Sequence, residues 1–60
     1  MNSYMVNFEA APVIDDSPPQ ALQMIVDARD RENAAAAAQF LMGDGYQLEI
    51  TSIVELRRGQ

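Results

Sequence analysis

The segment that decides the fold runs from residue 22 to residue 56 and changes its hydrophobic period twice. It reads LQMIVDAR (22–29), DRENAAAAAQFLM (30–42), GDG (43–45) and YQLEITSIVEL (46–56). The first and last pieces alternate apolar and polar residues, which is typical of a half-buried strand. The second piece contains five consecutive alanines, the residue with the highest helix propensity. The segment therefore predicts a strand, a helix, a turn and a second strand.

Sequence signals bound this helix at both ends. Asp30 is placed as an N-cap whose carboxylate accepts a hydrogen bond from an amide of the first turn. Gly43 follows the last turn, where a left-handed cap favours glycine. We predict a helix over residues 31–42 that packs closely on a sheet. The residues that share its contact face at the i, i+3, i+4, i+7 spacing are Ala34, Ala37, Ala38 and Leu41.

The N-terminal part of the chain supplies two further segments. Residues 4–10 alternate between apolar and polar and predict a first strand. Residues 11–20 contain all three prolines and predict a stiff loop, because proline cannot donate to a strand ladder. An alternative reads residues 18–42 as one helix with Ser17 as its N-cap. The alternation within residues 21–29 favours a second strand instead, with Leu22, Met24 and Val26 on its inward face.

Residues 46–57 predict the last strand, and the elements then follow in the order β-β-α-β. Strict alternation places Tyr46, Leu48, Ile50, Ser52, Val54 and Leu56 on the inward face of this strand. A right-handed crossover from the second strand to the third brings the third beside the first. We predict one α+β domain over residues 1–60, with a three-stranded antiparallel sheet in the order 2-1-3 and one helix packed on one face.

A single helix covers one face of the sheet, so the other face stays open. Its predicted residues are Met5, Asn7, Glu9, Gln23, Ile25, Asp27, Glu49, Thr51, Ile53 and Glu55. This mixture of apolar side chains and carboxylates is less uniformly polar than an ordinary open sheet face. The outer strands also leave unpaired edges that no lysine guards. Both features predict contact with a protein, either a second copy at a sheet edge or a different partner.

Composition and charge exclude several classes of function. The chain carries nine acidic and four basic residues, a net charge of −5, and has no cysteine, histidine or lysine. The negative charge argues against direct nucleic-acid binding, which needs basic residues to neutralise phosphates. The missing residue types exclude disulfides and the usual zinc sites, so we expect no cofactor and no metal.

The same residue types argue against catalysis and against a membrane protein. Without histidine, cysteine or lysine, only carboxylates remain as acids and bases, and we expect no pocket around any two of them. We therefore expect a protein that is not an enzyme. No apolar run is long enough to span a bilayer, which predicts a cytoplasmic protein without a membrane partner.

Residues 26–50, VDARDRENAAAAAQFLMGDGYQLEI, resemble the core of the small phage-encoded inhibitors of host bacterial RNA polymerase. The matching positions are Ala28, Asp30, Glu32, Ala34, Ala38, Phe40, Gly45 and Tyr46. The resemblance implies a small phage-type protein that docks on a larger host protein. The chain departs from the family in its last strand, where the polymerase-contacting arginines are replaced by Ile50 and Ser52. Its own arginines follow later, at Arg57 and Arg58.

Three functions are compatible with these observations. The first is an inhibitor or modulator that docks, in the host cytoplasm, on a host protein with a basic surface, such as a nucleic-acid-processing enzyme. Its candidate protein-binding residues are Glu9, Asp27, Glu49, Ile53, Glu55, Arg57 and Arg58. The second is a DNA mimic that inhibits a nuclease, a glycosylase or a CRISPR complex through an acidic stripe of Asp15, Asp16, Asp27, Glu49 and Glu55. The third is a self-assembling domain that forms a homodimer through a sheet edge.

Overall fold

The computed structural model describes residues 1–57 and contains four elements in the predicted order. They are β1 (Asn2–Pro12), β2 (Gln20–Ala28), α1 (Arg31–Met42) and β3 (Tyr46–Arg57). The strands form one antiparallel sheet in the order β2-β1-β3, and α1 lies on one face. The predicted α+β fold is confirmed, with β1 longer at both ends than expected. Segment 20–28 is a strand, so the single long helix is wrong.

The central strand β1 supplies half of the buried core. Its inward side chains alternate along the strand, as predicted, and β2 and α1 add two each. The buried residues are Tyr4, Val6, Phe8, Ala10, Val26, Ala28, Ala34 and Ala38. Because both residues from α1 are alanines with no exposed surface, the helix backbone lies close to the sheet. The small-residue face of the helix therefore sets the spacing between the two layers.

Both ends of α1 have the predicted caps. The Asp30 carboxylate accepts a hydrogen bond from the Asn33 amide at 2.9 Å. At the other end Gly43 has a φ of 85°, and its N–H donates to the Gln39 carbonyl oxygen at 3.0 Å. A side chain at Gly43 would be strained in this left-handed conformation. These two caps fix where α1 begins and ends above the sheet.

The helix is much shorter than the sheet that it covers. Its twelve residues rise about 18 Å, whereas the longest dimension of the domain is 43 Å. The sheet therefore extends past the C-terminal end of α1. Leu22 and Tyr46 lie at this end and are exposed, although strict alternation predicts that both are buried.

The predicted burial of Leu41 is also wrong. The line of close contact runs through Ala38 and Met42, one turn apart, and Leu41 is rotated from Met42 by about 100°. Leu41 is consequently 63% exposed and its neighbour Phe40 is 84% exposed. The C-terminal turn of α1 thus presents two large apolar side chains to solvent.

The pairing of β3 with β1 is interrupted by an extra residue. Phe8 pairs with Ile50, but the preceding residue Asn7 pairs with Ser52. Thr51 is therefore a bulge, and a bulge reverses the assignment of side chains to faces for the residues that follow it. A second shift, between Ser3 and Tyr4 of β1, leaves an extra residue near the end of β3.

The bulge overturns the predicted faces in the second half of β3. Ile53 pairs with Val6 and packs against the core, whereas strict alternation places it on the open face. Val54 pairs with Met5 and lies on the open face, whereas it is predicted to point inward. Ser52 is likewise on the open face. The prediction holds only up to Ile50, which packs against the core as expected.

Candidate functional site

The open face, opposite α1, is organised in four cross-strand rows with one residue from each strand. The charged row is Asp27–Ser3–Arg57, the apolar row is Ile25–Met5–Val54, the amide row is Gln23–Asn7–Ser52 and the acidic row is Ala21–Glu9–Glu49. Each row is separated from the next by two residues along β1, or about 7 Å. The face therefore presents four different chemistries in sequence from one end of the sheet to the other.

Hydrogen bonds hold the amide row together. Gln23 donates through Nε2 to Asn7 Oδ1 at 3.1 Å, and Asn7 donates through Nδ2 to Ser52 Oγ at 2.9 Å. The bulge residue Thr51 donates through its hydroxyl to the Asn7 carbonyl oxygen at 3.0 Å. The three side chains of this row are therefore fixed by one another in the middle of the open face.

The apolar row gives the open face its exposed hydrophobic surface. Ile25 is 67% exposed and Val54 is 43% exposed, with the half-buried Met5 between them. Strict alternation missed Val54 because it does not anticipate the bulge. The adjacent apolar residues Ile53 and Val54 were the available signal, since such a pair leaves the inward residue undecided.

The acidic row places two like charges directly opposite each other. Glu9 pairs with Glu49 across β1 and β3, and both are exposed. Within residues 1–57 neither carboxylate has a hydrogen-bond or ion-pair partner. Like charges in this position destabilise a sheet. Together with Pro19 they line a depression of about 400 Å³, which contradicts the expectation that no pocket surrounds two carboxylates.

The charged row has a charged residue on each outer strand, Asp27 on β2 and Arg57 on β3. Ser3 donates through its hydroxyl to Asp27 Oδ1 at 2.7 Å, and Arg57 is opposite Ser3 on the other side. Asp27 and Arg57 thus lie on the open face, as predicted. They lie at one end of the open face, and the acidic row lies at the other end.

Two of the predicted binding residues do not lie on the open face. Ile53 and Glu55 follow the bulge and are on the helix side of the sheet, where Glu55 pairs with the buried Tyr4 and is half-buried itself. Arg58 lies outside the described residues. The structure brings Glu9, Asp27, Glu49 and Arg57 onto the open face.

The predicted acidic stripe of a DNA mimic is not formed as one row. Asp27 and Glu49 lie at different ends of the open face, and Glu55 lies on the helix side. Asp15 and Asp16 are in the loop between β1 and β2. The Ser17 amide donates to Asp15 Oδ1 at 2.9 Å; this bond and a second one from the Ser17 hydroxyl hold the pKa of that carboxyl below its usual range.

The two sheet edges differ, which corrects the expectation that both are unguarded. On β3, the Arg31 guanidinium donates to the Ile53 carbonyl oxygen, and Gln39 donates through Nε2 to the Tyr46 carbonyl oxygen at 3.3 Å. The β2 edge contains no lysine, arginine or proline and pairs with β1 without a register shift. The β3 edge is therefore partly covered by α1 side chains and β2 is the plainer edge.

In residues 1–57 no group of three or more histidine, cysteine, aspartate or glutamate side chains could hold a metal ion. No helix in this part has the length and hydrophobicity that a bilayer crossing requires.

The open face and the two edges are thus the surfaces with distinctive chemistry. Comparison with known proteins adds no relative from which a role could be transferred, so the likeness of residues 26–50 to phage inhibitors stays a prediction. No protein-family model, no curated protein and no solved structure matches the chain.

Proposed function

We propose that the protein is a small acidic binding module that docks through its open face on a larger protein with a basic surface. One observation carries the proposal. The depression lined by Glu9 and Glu49 lies on the same face as the exposed apolar row, about 14 Å away along β1. A carboxylate pair and an apolar strip at this separation can each receive one side chain from a single partner.

The chemistry of the two positions defines what they accept. A partner arginine or lysine in the depression would lie against both carboxylates and remove the repulsion between Glu9 and Glu49. An aliphatic or aromatic partner side chain would cover Ile25 and Val54. The fixed amide row between them offers hydrogen-bonding groups. The complementary surface is therefore basic at one end and apolar in the middle.

The net charge of −5 supports the same class of partner. Proteins that process nucleic acids carry basic surfaces, and an acidic module is drawn to them by long-range attraction. Within this proposal the module acts in the host cytoplasm as an inhibitor or modulator of such an enzyme, which is the role that the resemblance implies. Its binding weakens as salt rises, because the carboxylates are exposed and screened.

The test compares variants of the face with a matched variant outside it. Tagged wild-type protein, Glu49→Gln and Val54→Lys are assayed against purified bacterial RNA polymerase and for capture from a bacterial lysate. Glu32→Gln is the control, since Glu32 is an exposed carboxylate in the first turn of α1. We expect each face variant to weaken binding about tenfold, or about 1.4 kcal/mol, and the control to bind normally.

Two results would contradict the proposal. One is that the wild-type protein captures no specific protein at low salt. The other is that a captured partner is retained equally by Glu49→Gln and Val54→Lys, which would place the contact elsewhere on the molecule.

A further inference from the structure

We infer that β2 is a self-pairing edge, through which two copies of the chain join antiparallel into one six-stranded sheet. The contact is made by the main-chain edge of β2, which borders the open face and shares Ile25 with it, but the inference does not rest on the proposed function. It follows from four observations: the free main-chain groups of β2, the missing edge protection, a symmetric register, and the distribution of apolar and charged side chains.

The free main-chain groups of β2 can be assigned from two contacts. In an antiparallel ladder, the N–H and C=O of one residue point to the same side, and the side alternates along the strand. The Asn7 carbonyl accepts a hydrogen bond from the Thr51 hydroxyl of β3, so the N–H and C=O of Asn7 point toward β3. The N–H and C=O of Gln23, which is opposite Asn7 on β2, therefore point away from β1 to the free edge. The same alternation turns the Ile53 carbonyl, next to Ser52, away from β1, and this carbonyl accepts a hydrogen bond from the Arg31 guanidinium. Four residues of β2 therefore point their main-chain groups to the free edge, and we call them its outward residues: Ala21, Gln23, Ile25 and Asp27.

Edge protection differs between the two outer strands. Proteins guard sheet edges with charged side chains, prolines or bulges, because an unguarded edge pairs with other strands. β3 has two register shifts and the Arg31 guanidinium on its outer carbonyl. β2 reads QALQMIVDA, pairs with β1 without a shift, and carries one charged residue, Asp27. An incoming strand therefore fits β2 and is obstructed at β3.

A two-fold axis at Met24 gives β2 a self-complementary register. All nine residues of one β2 then pair with all nine of the second copy. The four outward residues meet in hydrogen-bonded pairs, Ala21 with Asp27 and Gln23 with Ile25. On the helix side, Met24 meets Met24 of the second copy and Leu22 meets Val26.

Apolar surface flanks this edge on the helix side. Leu22 is exposed and Met24 half-buried. Ala37 lines a depression with Ala28 at the end of β2, so this side of α1 faces β2. Leu41 follows Ala37 by one turn and is exposed. Pairing of two β2 strands would bury these apolar side chains between the two copies.

The charges of the chain do not oppose this contact. Eight of the nine acidic residues lie outside β2. The remaining one, Asp27, faces Ala21 of the second copy and already accepts a hydrogen bond from Ser3. Two chains of net charge −5 can therefore meet at this edge without a like-charge pair in the ladder.

The first experiment introduces one cysteine into a chain that has none. In the proposed register, the two Met24 residues form a non-hydrogen-bonded pair with Cα atoms about 4.5 Å apart, within the range for a disulfide. Ile53→Cys is the matched control, because Met24, Val6 and Ile53 share one cross-strand row. Under mild oxidation we expect Met24→Cys to form a disulfide-linked dimer and Ile53→Cys to form little or no disulfide-linked dimer.

The second experiment measures mass in solution by sedimentation equilibrium over a dilution series. The wild-type protein is expected to reach twice the chain mass of 6.6 kDa. Ile25→Lys, which adds a gatekeeper charge to the β2 edge, is expected to return it to 6.6 kDa. Val54→Lys alters the same apolar row on β3 and is expected to leave the dimer intact.

Three results would overturn the inference: a wild-type protein that stays monomeric throughout, equal cross-linking of both cysteine variants, or equal dissociation by both lysine variants. The proposed function fails separately. Docking on the open face requires both Ile25→Lys and Val54→Lys to weaken partner binding, whereas self-pairing requires only Ile25→Lys to change the mass. Circular dichroism of each variant verifies that the sheet is retained.

Discussion

The two outer strands of the sheet have similar apolar content but meet solvent in opposite ways. β3 carries Ile50, Ile53, Val54 and Leu56, yet two register shifts bend its ladder and Arg31 covers one of its outer carbonyls. β2 is shorter and regular, and within residues 1–57 the α1 side chains that bond to strand carbonyls do so on β3 instead. The hydrophobicity of a strand thus does not determine whether its edge is available. The positions of bulges and of neighbouring helix side chains determine it here.

The same irregularity also sets the chemistry of the open face. The bulge at Thr51 moves Ile53 to the core and brings Val54 into the apolar row beside Met5. In β2, where no bulge occurs, the pairing register keeps every residue on its predicted face, with Ile25 on the open face and Val26 in the core, although Leu22 beyond the end of α1 is exposed. One extra residue therefore distinguishes the two strands both at their edges and on their faces.

The largest predicted effect tests this reassignment of faces. Ile53→Ala should lower the free energy of unfolding by about 2 kcal/mol, because Ile53 packs against the core and its removal leaves a cavity. Val54→Ala should change it by about 0.5 kcal/mol or less, because Val54 lies on the open face. Urea denaturation of both variants gives the comparison. A larger loss for Val54→Ala than for Ile53→Ala would mean that the strand alternates without a bulge.

Much of the fold was predictable because its signals are local. The Asp30 cap, the Gly43 stop and the alternation of β2 each act over a few residues, and the structure has all three. The exposure of Leu22 and Leu41 was not predictable in this way. It depends on the short helix and on which line of α1 contacts the sheet, and both are properties of packing.

The second prediction concerns Arg31, whose guanidinium covers an outer carbonyl of the β3 edge. Arg31→Ala should cost about 1 kcal/mol through loss of the hydrogen bond to the Ile53 carbonyl. It should also raise disulfide dimerisation of Ile53→Cys, because the outer carbonyl becomes available to another strand. Arg29→Ala is the control, since Arg29 precedes the helix and is exposed. If the double variant Arg31→Ala/Ile53→Cys cross-links no more than Ile53→Cys alone, Arg31 does not guard the edge.

The candidate site was predictable only in part, for the same physical reason. Glu9, Asp27 and Glu49 precede the bulge or lie on regular strands, so alternation placed them correctly on the open face. Ile53 and Glu55 follow the bulge and were placed on the wrong side. No glycine or proline marks Thr51, and a bulge built from ordinary residues has no strong local signal.

The smallest predicted effect concerns the loop that leads into β2. Hydrogen bonds from Ser17 lower the pKa of Asp15, so its ionised form is favoured in the folded state. The stability that this contact adds is fully present above the unfolded-state pKa, about 3.9. It is lost as pH falls through the lower folded-state value. The difference in stability between wild type and Asp15→Asn should therefore be small at neutral pH and vanish in acid.

An NMR titration of the Asp15 carboxyl measures this shift directly. A pKa at or above the usual value for aspartate would show that the Ser17 amide does not hold the carboxylate. Binding at the open face should be unaffected by Asp15→Asn, because Asp15 belongs to the loop and to none of the four rows.

The contrast between the two edges is tested most directly by amide hydrogen exchange at several chain concentrations. Self-pairing through β2 predicts that protection of the Ala21, Gln23, Ile25 and Asp27 amides rises with concentration. Protection of the Ile53 amide, at the outer edge of β3, should stay constant over the same series. Equal and unchanging protection of the β2 and β3 outer amides at every concentration would contradict the inference that the two edges differ.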